Sequence, residues 1–343
     1  MSLNSIAIDI TYKCNFRCRH CYNQSGEHTN EKCEVADVEL LKMIEQFANE
    51  KPVSLCICGG ETLLRKELLY KIGKLVKGIT GSTTSLNMVT NGFLMNDEVA
   101  NKLKESGFDL IQVSLDGATP YSHNWLRDNT ESFDRAINAI KLLVKRDFNV
   151  GVACAPTKVN REEFVDTAKL CKDLGVKLFR VQPLMIMGRG NNLKEKLLTS
   201  TEYYKLSQKL MELRLDTEQF GQMLLEWGDP IQHLEFIKRK SEVAKDISVN
   251  AYGEIMVSPY IPLIVGDLKK HTLKEYLERG LLEEVYNLPV IKKMAGLITS
   301  WEEMDLHNKY SIIPAVGSDK YIYYDLIDES ARDYELIEKI MDL

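Results

Sequence analysis

Three cysteines lie within eight positions near the start of the chain, Cys14, Cys18 and Cys21, in the stretch TYKCNFRCRHCYN (11–23). Cysteine thiolates are the usual ligands of iron–sulfur clusters. Three of them at CxxxCxxC spacing, just after a strand, can fold a loop around one cluster, and a four-iron cluster would then keep one iron open. The alternative is a set of structural thiols, two buried and one exposed, without a metal.

Three more polar motifs end hydrophobic runs further along the chain: GGE in CICGGET, Asn-Gly in VTNG and Ser-x-Asp in QVSLDGA. Two glycines let a ligand approach the backbone closely, and a glutamate can accept from an ammonium group. A serine and an aspartate of equal strand parity face the same side. Each motif alone is also typical of an ordinary turn. The residues concerned are Gly59, Gly60, Glu61, Asn91, Ser114 and Asp116.

Strand–helix alternation predicts how these motifs meet. Six apolar runs separated by segments of helical periodicity indicate βαβ units, so we expect an α/β fold, a partial (β/α)6 TIM-like barrel. Such barrels assemble their sites at the carboxyl ends of the strands, where the motifs fall. The predicted strands are 5–11, 53–58, 84–90, 109–115, 149–155 and 177–184. The predicted helices are 35–50, 66–78, 96–107, 132–147 and 161–175, with Asn96 and Ser132 as N-caps and Gly107 and Gly175 as helix stops.

The pattern changes after about residue 200, which predicts a barrel domain over 1–200 and a smaller α+β extension over 201–343. In the extension, a turn at Tyr252-Gly253 indicates a hairpin. The predicted elements there are helices at 200–215, 229–244 and 272–286, a hairpin at 247–268 and a candidate terminal strand at 320–328.

Taken together, the motifs resemble the radical S-adenosylmethionine (radical SAM) enzymes. CNFRCRHC looks like the family's cluster motif CxxxCxΦC, with His20 at the Φ position. The resemblance implies that Cys14, Cys18 and Cys21 hold a [4Fe–4S] cluster and that SAM chelates the fourth iron through its amino and carboxylate groups. The reduced cluster would cleave SAM to methionine and a 5′-deoxyadenosyl radical, which takes hydrogen from a substrate.

The same resemblance implies the other SAM contacts. Gly59-Gly60-Glu61 matches the motif that contacts the methionine amino group, and the fourth strand matches the one with ribose contacts. On the fifth strand the family's glycine-and-glutamate pattern is replaced by VGVACAPTKVN, so adenine contacts there are open between Val152 and Cys154. The remaining expected contacts are Ser114 and Asp116 to the ribose, Asn91 to further polar groups, Arg127 to the carboxylate and Gln182 near the adenine.

The segment NAYGEIMVSPYIPLIVGDLKKHTLKEYLERG is similar to the family's SPASM/twitch extension, which normally binds auxiliary clusters. Tyr260 stands where a cysteine would follow Pro259, and no cysteine follows Cys171. We therefore expect one cluster per chain. Because the first predicted strand lies almost at the start of the sequence, we also expect no leader-binding domain of the kind found in some peptide-modifying relatives.

Net charge and hydropathy indicate which partners and which cellular location the protein can have. A net charge of −6, with Lys and Arg spread along 343 residues, gives neither a nucleic-acid footprint nor a membrane patch. The start has no signal-peptide pattern and the apolar runs are too short to span a bilayer, so we expect a cytoplasmic protein. By the resemblance, a flavodoxin- or ferredoxin-type protein would donate the electron.

Three functions stay open at this level. The first hypothesis is modification of a ribosomally made peptide, because SPASM/twitch-like tails often accompany peptide maturation. The second is a radical SAM reaction on a small molecule such as a sugar, an aminoglycoside or a cofactor precursor. The third is a non-catalytic or zinc-binding barrel.

Several residues could act on the substrate. Asp9, Asn87 and Arg180 have the strand parity to face inward, and a buried acid is either a proton acceptor or a structural hydrogen-bond partner. Cys56 and Cys58 share one strand face and are interpreted as small core residues, with donation of a hydrogen atom to a substrate radical as the alternative.

Overall fold

Six short parallel strands alternate with helices in the first half of the computed structural model, which describes residues 3–28, 32–239 and 246–343. The predicted strand positions and the α/β barrel architecture are confirmed. Every crossover returns the chain in the same direction, so all six strands end at one rim. The strands are β1 (Ser5–Asp9), β2 (Ser54–Cys58), β3 (Ser85–Thr90), β4 (Leu110–Ser114), β5 (Asn149–Cys154) and β6 (Leu178–Val181).

Alternate residues on each strand face two different environments. Leu55 and Ile57 of β2 are 0% exposed and pack against the helices, whereas Cys56 and Cys58, which alternate with them, are half-buried and face the lumen of the barrel. The helices are α1 (Asp37–Asn49), α2 (Lys66–Thr80), α3 (Asp97–Glu105), α4 (Pro120–Arg127), α5 (Ser132–Val144) and α6 (Phe164–Asp173).

The predicted helix ends are partly confirmed. Asn96 caps α3 because its side chain accepts from Val99 N at 2.9 Å, and Gly107 and Gly175 follow α3 and α6 with φ of +90° and +84°. The prediction for Ser132 is wrong, since it lies inside α5.

The N-cap residue of α5 is Glu131, and its side chain makes no capping hydrogen bond. Asn124 of the short helix α4 supplies the acceptor instead, taking hydrogen bonds from Ser132 Oγ and Phe133 N, both at 2.8 Å. Helix α4 was not predicted, because its eight residues are too few to show clear periodicity.

The chain after residue 200 extends the same sheet at both edges. The added strands are β7 (Leu224–Trp227), β8 (Asp246–Val249), β9 (Glu254–Ser258), β10 (Ile261–Asp267) and β11 (Ile322–Tyr323). The described residues form one 11-stranded open sheet in the order β11-β10-β9-β8-β1-β2-β3-β4-β5-β6-β7. Strand β7 (Leu224–Trp227), which was not predicted, pairs parallel with β6, and β8 pairs parallel with β1. The predicted segments 1–200 and 201–343 thus share a sheet, and their division into two domains stays a prediction.

The predicted hairpin is present, with β8 and β9 antiparallel around Tyr252-Gly253. The chain reverses a second time at Pro259-Tyr260, where β9 leads into antiparallel β10. The predicted helix 272–286 is interrupted at Gly280, which has φ of +90°. Of the predicted terminal strand, two residues pair in β11 before the Asp325 carboxylate turns the chain by accepting from Ile327 N and Asp328 N.

The helices of this part flank the added strands. Helix α9 begins as predicted and ends at Arg239, and the rest of that predicted helix, 240–244, lies outside the described residues. None of the described helices is long and apolar enough to cross a membrane. They are α7 (Ser200–Leu215), α8 (Thr217–Phe220), α9 (Pro230–Arg239), α10 (Leu273–Glu278), α11 (Leu281–Glu284), α12 (Pro289–Leu297), α13 (Leu306–Lys309) and α14 (Tyr334–Met341).

Candidate active site

The cysteine loop, residues 10–28, leaves β1 at the rim where the parallel strands end. Cys18 is 8% exposed and Cys14 and Cys21 are half-buried. Burial, with smaller contributions from the neighbouring thiols Cys18 and Cys21, raises the pKa of Cys14 to about 11, although a hydrogen bond from Phe16 N opposes the rise. Three thiols close enough to influence one another's ionisation, on one loop, fit a shared iron–sulfur cluster, which would bind them as thiolates.

The three sulfurs do not converge on one point. Among residues 3–28, 32–239 and 246–343, no three His, Cys, Asp or Glu side chains are grouped as the ligands of a single metal ion. In a four-iron cluster each thiolate binds a different iron, so three ligand sulfurs stand at separate corners.

The glycine pair after β2 holds the cysteine loop through its backbone. Gly60 N donates to Thr11 O at 2.7 Å, and Glu61 N donates to Lys13 O at 2.9 Å. A Cβ on Gly60 would lie far inside van der Waals contact with Lys13 O, and Gly59 has φ of +145° and faces Thr11 O in the same way. The glycines therefore let two backbones meet.

We expect Gly60→Ala to lower the free energy of unfolding by about 1–3 kcal/mol, because the new methyl group must displace the cysteine loop. The shift should also weaken iron binding, measured as iron retained per chain after reconstitution. Gly78→Ala is the matched control. Gly78 lies in α2 with no atom near its missing Cβ, so alanine there should add about 0.5–1 kcal/mol of stability. Equal effects of the two substitutions would contradict this role of Gly60.

Glu61 is occupied by protein donors. The side chain is 1% exposed, and its carboxylate accepts from Leu63 N at 3.0 Å, Thr90 Oγ1 at 2.7 Å and Asn91 N at 2.8 Å. Asn91 in turn donates from Nδ2 to Asn15 Oδ1 at 2.9 Å, inside the cysteine loop. The structure thus gives both predicted site residues a role in positioning the loop, and their contacts to SAM stay predictions.

A buried ion pair joins the fourth strand to the cysteines. Asp116, 1% exposed, accepts from Arg127 Nε at 2.6 Å and from Ala155 N at 3.0 Å. Arg127 Nη1 lies 4.0 Å from Cys18 Sγ. Burial raises the pKa of Asp116, but the positive charge of Arg127, joined in acid by His20 and His123 once these are protonated, outweighs it, so the pKa falls to about 2.

Both carboxylate oxygens of Asp116 therefore accept from the protein, and the carboxylate fixes the orientation of the guanidinium. Five N–H donors make Arg127 able to hold Asp116 and still present an edge to a second carboxylate. Helix α4, which ends at Arg127, delivers this side chain. The ribose and carboxylate contacts expected of Asp116 and Arg127 stay predictions.

Two neutral histidines flank the pair. Burial, with a smaller contribution from the positive charge of Arg127, lowers the pKa of His20 to about 4. His20 Nδ1 lies 3.3 Å from Leu126 O at the end of α4. Burial likewise lowers the pKa of His123 to about 4, and its Nδ1 accepts from Asp116 N at 3.1 Å. Neither histidine adds positive charge at neutral pH.

Arg189 is a loop-positioning residue that sequence reasoning missed. It follows β6, its Nε donates to Cys18 O at 2.9 Å, and its backbone N donates to Cys21 O at 3.0 Å. Gly188 has φ of +52°, and a Cβ there would overlap Tyr22 O. The glycines on either side of the arginine in GRG were the sequence signal that could have indicated a close backbone contact here.

The lumen below the loop is lined by polar side chains. Ser114, 8% exposed, has the lumen-facing parity of β4. Gln182 donates from Nε2 to Tyr260 Oη at 3.2 Å, so the turn between β9 and β10 reaches across to the end of β6. Tyr260 therefore forms part of the wall of the lumen. By the resemblance, it stands at the position where relatives with a SPASM/twitch extension carry a cluster-ligating cysteine.

Asp9, the last residue of β1, is an acidic residue of the barrel lumen. Burial raises its pKa to about 7, although a hydrogen bond from Tyr12 opposes the rise. The carboxyl group can therefore hold or release a proton near neutral pH, which the predicted role of Asp9 as a proton acceptor requires.

Asp9 should make the protein less stable as pH rises. Between pH 4 and 7 the folded state holds a proton on Asp9 that the unfolded state has lost, so the free energy of unfolding falls across this window. Asp9→Asn should flatten that fall and stabilise the protein at pH 8, by no more than about 4 kcal/mol. Urea unfolding at pH 5 and pH 8 measures both effects, and an unchanged pH slope in the variant would contradict the raised pKa.

The half-open parallel barrel, with a three-cysteine loop and a buried arginine–carboxylate pair at its rim, defines a class of cofactor-dependent α/β enzymes. Residues 8–171 match the profile described as the radical SAM superfamily. Residues 8–171 therefore form a radical SAM domain, the domain of a superfamily that uses SAM and an iron–sulfur cluster.

Comparison with individual proteins agrees. The AdoMet-dependent heme synthase of Methanosarcina barkeri is 25% identical over 295 residues, which are 80% of this chain and 82% of that protein. The sporulation killing factor maturation protein SkfB of Bacillus subtilis is 25% identical over 72% of this chain and 56% of its own length. The solved structure of anSMEcpe with bound AdoMet and Kp18Cys peptide superposes with a TM-score of 0.64 at 16% identity, covering 98% of this chain and 96% of that chain.

Proposed function

We propose that this chain holds a single [4Fe–4S] cluster on Cys14, Cys18 and Cys21, cleaves SAM reductively, and modifies a ribosomally synthesised peptide. The observation that carries the proposal is the three-thiol loop at the strand ends, with Arg127 held between Asp116 and Cys18. When bound, the cluster and SAM supply a 5′-deoxyadenosyl radical that takes hydrogen from the substrate. A flavodoxin- or ferredoxin-type protein is the proposed electron donor.

The protein's own residues bind SAM, orient it and shield the reacting groups from water. Arg127 offers its remaining donors to the SAM carboxylate, and its orientation is set beforehand by Asp116, so little reorganisation is needed on binding. His20, Asn91, Ser114 and Gln182 are the proposed further contacts, together with Gly59, Gly60 and Glu61. Tyr260 closes one side of the lumen and limits access of water to the reacting groups.

A peptide substrate is supported by the SkfB relative, whose name marks it as a maturation protein. The alternative is a small molecule, and the heme synthase relative supports it because that similarity covers more of both chains. The lumen offers Asp9, which can hold or release a proton near neutral pH, and the positively charged Arg180, and both suit a backbone amide as well as a charged small substrate.

Anaerobic reconstitution with iron and sulfide tests the core of the proposal. We expect a brown protein that absorbs near 400 nm, with roughly four irons per chain. After reduction with SAM present it should form 5′-deoxyadenosine. A colourless protein containing one zinc would overturn the proposal.

The substrate class needs a separate measurement. Short peptides encoded next to the gene should change mass when incubated with the reduced enzyme and SAM, and the change should require Cys18. Modification of products of adjacent sugar or cofactor biosynthesis genes, with the peptides unchanged, would favour the small-molecule alternative.

A further inference from the structure

Cys56 and Cys58 form a pair of thiols on the lumen side of β2. Their Sγ atoms lie 3.3 Å apart, close enough to share a hydrogen bond. Both are half-buried, whereas Leu55 and Ile57 on the helix side are 0% exposed. The interpretation of the two cysteines as core residues is therefore wrong. The fully buried side of the strand is the other one.

The pair lies among groups that can exchange protons and hold a polar substrate. Asp9 on β1 is the register partner of Cys58 and influences the ionisation of both thiols. The positive charge of Arg180 on β6 acts to lower the pKa of both thiols. Arg180 Nη1 lies 4.0 Å from Glu226 Oε2, and its buried Nε has no hydrogen-bond partner within the described part of the chain. An acid and two thiols thus lie side by side on β1 and β2, with a guanidinium group near enough to act on the thiols electrostatically.

The strand geometry keeps the thiols reduced. Residues two apart on an extended strand have Cα atoms about 6.6 Å apart, near the upper limit for a disulfide, and their side chains run roughly parallel. A disulfide between them would need a distortion of β2, which hydrogen bonds to β1 and β3 hold on both sides. The arrangement favours two S–H groups in hydrogen-bond contact.

We propose that a thiol of the Cys56–Cys58 pair donates a hydrogen atom to a carbon-centred radical of the substrate, an inference that rests on the proposed function. In this step the S–H bond breaks homolytically, a C–H bond forms, and the sulfur becomes a thiyl radical. The thiol returns when the sulfur takes one electron from the low-potential electron donor and one proton from Asp9. Each turnover then uses two electrons and one proton from outside.

Because the thiol returns one hydrogen atom for the one removed, the substrate would leave without net oxidation. Because the S–H hydrogen exchanges with water, the returned hydrogen would come from solvent. This sets the reaction class. A stereochemical inversion at a C–H centre fits it, and a dehydrogenation does not, because a dehydrogenation removes a second hydrogen and needs no thiol.

The first test needs no substrate. SAM is cleaved by the reconstituted enzyme in D2O with titanium(III) citrate, a reductant free of thiols, and the 5′-deoxyadenosine is examined by mass spectrometry. We expect the wild-type product to carry one deuterium taken from an S–D group of the pair. Cys56→Ser with Cys58→Ser should still cleave SAM and lose the deuterium, because an alcohol O–H bond is too strong to donate. Cys33→Ser, a change at an exposed cysteine, is the matched control and should keep it.

The second test measures access to the thiols without SAM chemistry. Iodoacetamide labelling of the folded, cluster-loaded chain should modify Cys56 or Cys58 and spare the buried Cys154 and Cys171. Unlabelled Cys56 and Cys58, or deuterium that persists in the double variant, would overturn the inference and leave the proposed function intact. Absence of 5′-deoxyadenosine from the wild-type enzyme would instead overturn the proposed function, and this inference with it.

Discussion

Replacing Cys18 with alanine is expected to abolish cluster assembly and SAM cleavage together. Cys18 is the most buried of the three cysteines and lies beside Arg127. Its loss would leave a four-iron cluster with two protein ligands, too few to hold it next to a site that must stay open for SAM. We expect the absorbance near 400 nm to disappear and 5′-deoxyadenosine to fall below detection.

The control is Cys33→Ala, since Cys33 is exposed and outside the cysteine loop. This variant should keep the iron content and activity of the wild type. Circular dichroism and urea unfolding would show whether the Cys18 variant stays folded. A Cys18→Ala protein that retained both cluster and activity would overturn the assignment of the three-cysteine loop.

Removing the Asp116 carboxylate should have the largest effect on stability. Asp116→Ala leaves the Arg127 charge buried without its partner, and Ala155 N loses its acceptor. Breaking a buried ion pair from one side costs about 3–5 kcal/mol, and we expect a loss of that order in the free energy of unfolding from urea titration. The same variant should bind SAM poorly, because Arg127 is no longer oriented.

A double-mutant cycle separates the ion pair from packing. Arg127→Met alone should also destabilise the protein, and the double variant should recover part of the loss since no unpaired charge remains. Asp97→Asn serves as the surface control, because the Asp97 side chain is 73% exposed in its pair with Arg146 and should matter little. Additive effects of the Asp116 and Arg127 substitutions would contradict the coupling.

The sequence predicted that both Asp116 and Arg127 lie near SAM, but it did not predict that they bind each other. The strand parity of Asp116 and the resemblance around Arg127 placed each near SAM. The hydrogen bond between them depends on α4, whose eight residues carry too weak a pattern to be predicted. The contacts of Arg189 and Tyr260 were missed for a similar reason, because both lie on turns whose course is set by distant strands.

The sequence by itself determined the six-strand barrel, the family and the three-cysteine loop, because these depend on local periodicity and on spacing within a few residues. Tertiary structure alone decided that the later strands continue the barrel sheet, that the glycine pair holds the cysteine loop, and that Cys56 and Cys58 face the lumen. Alternation along a strand separates its two faces and does not say which face meets the helices. That assignment follows from the packing of the whole sheet, where Leu55 and Ile57 bury fully and the two thiols remain accessible.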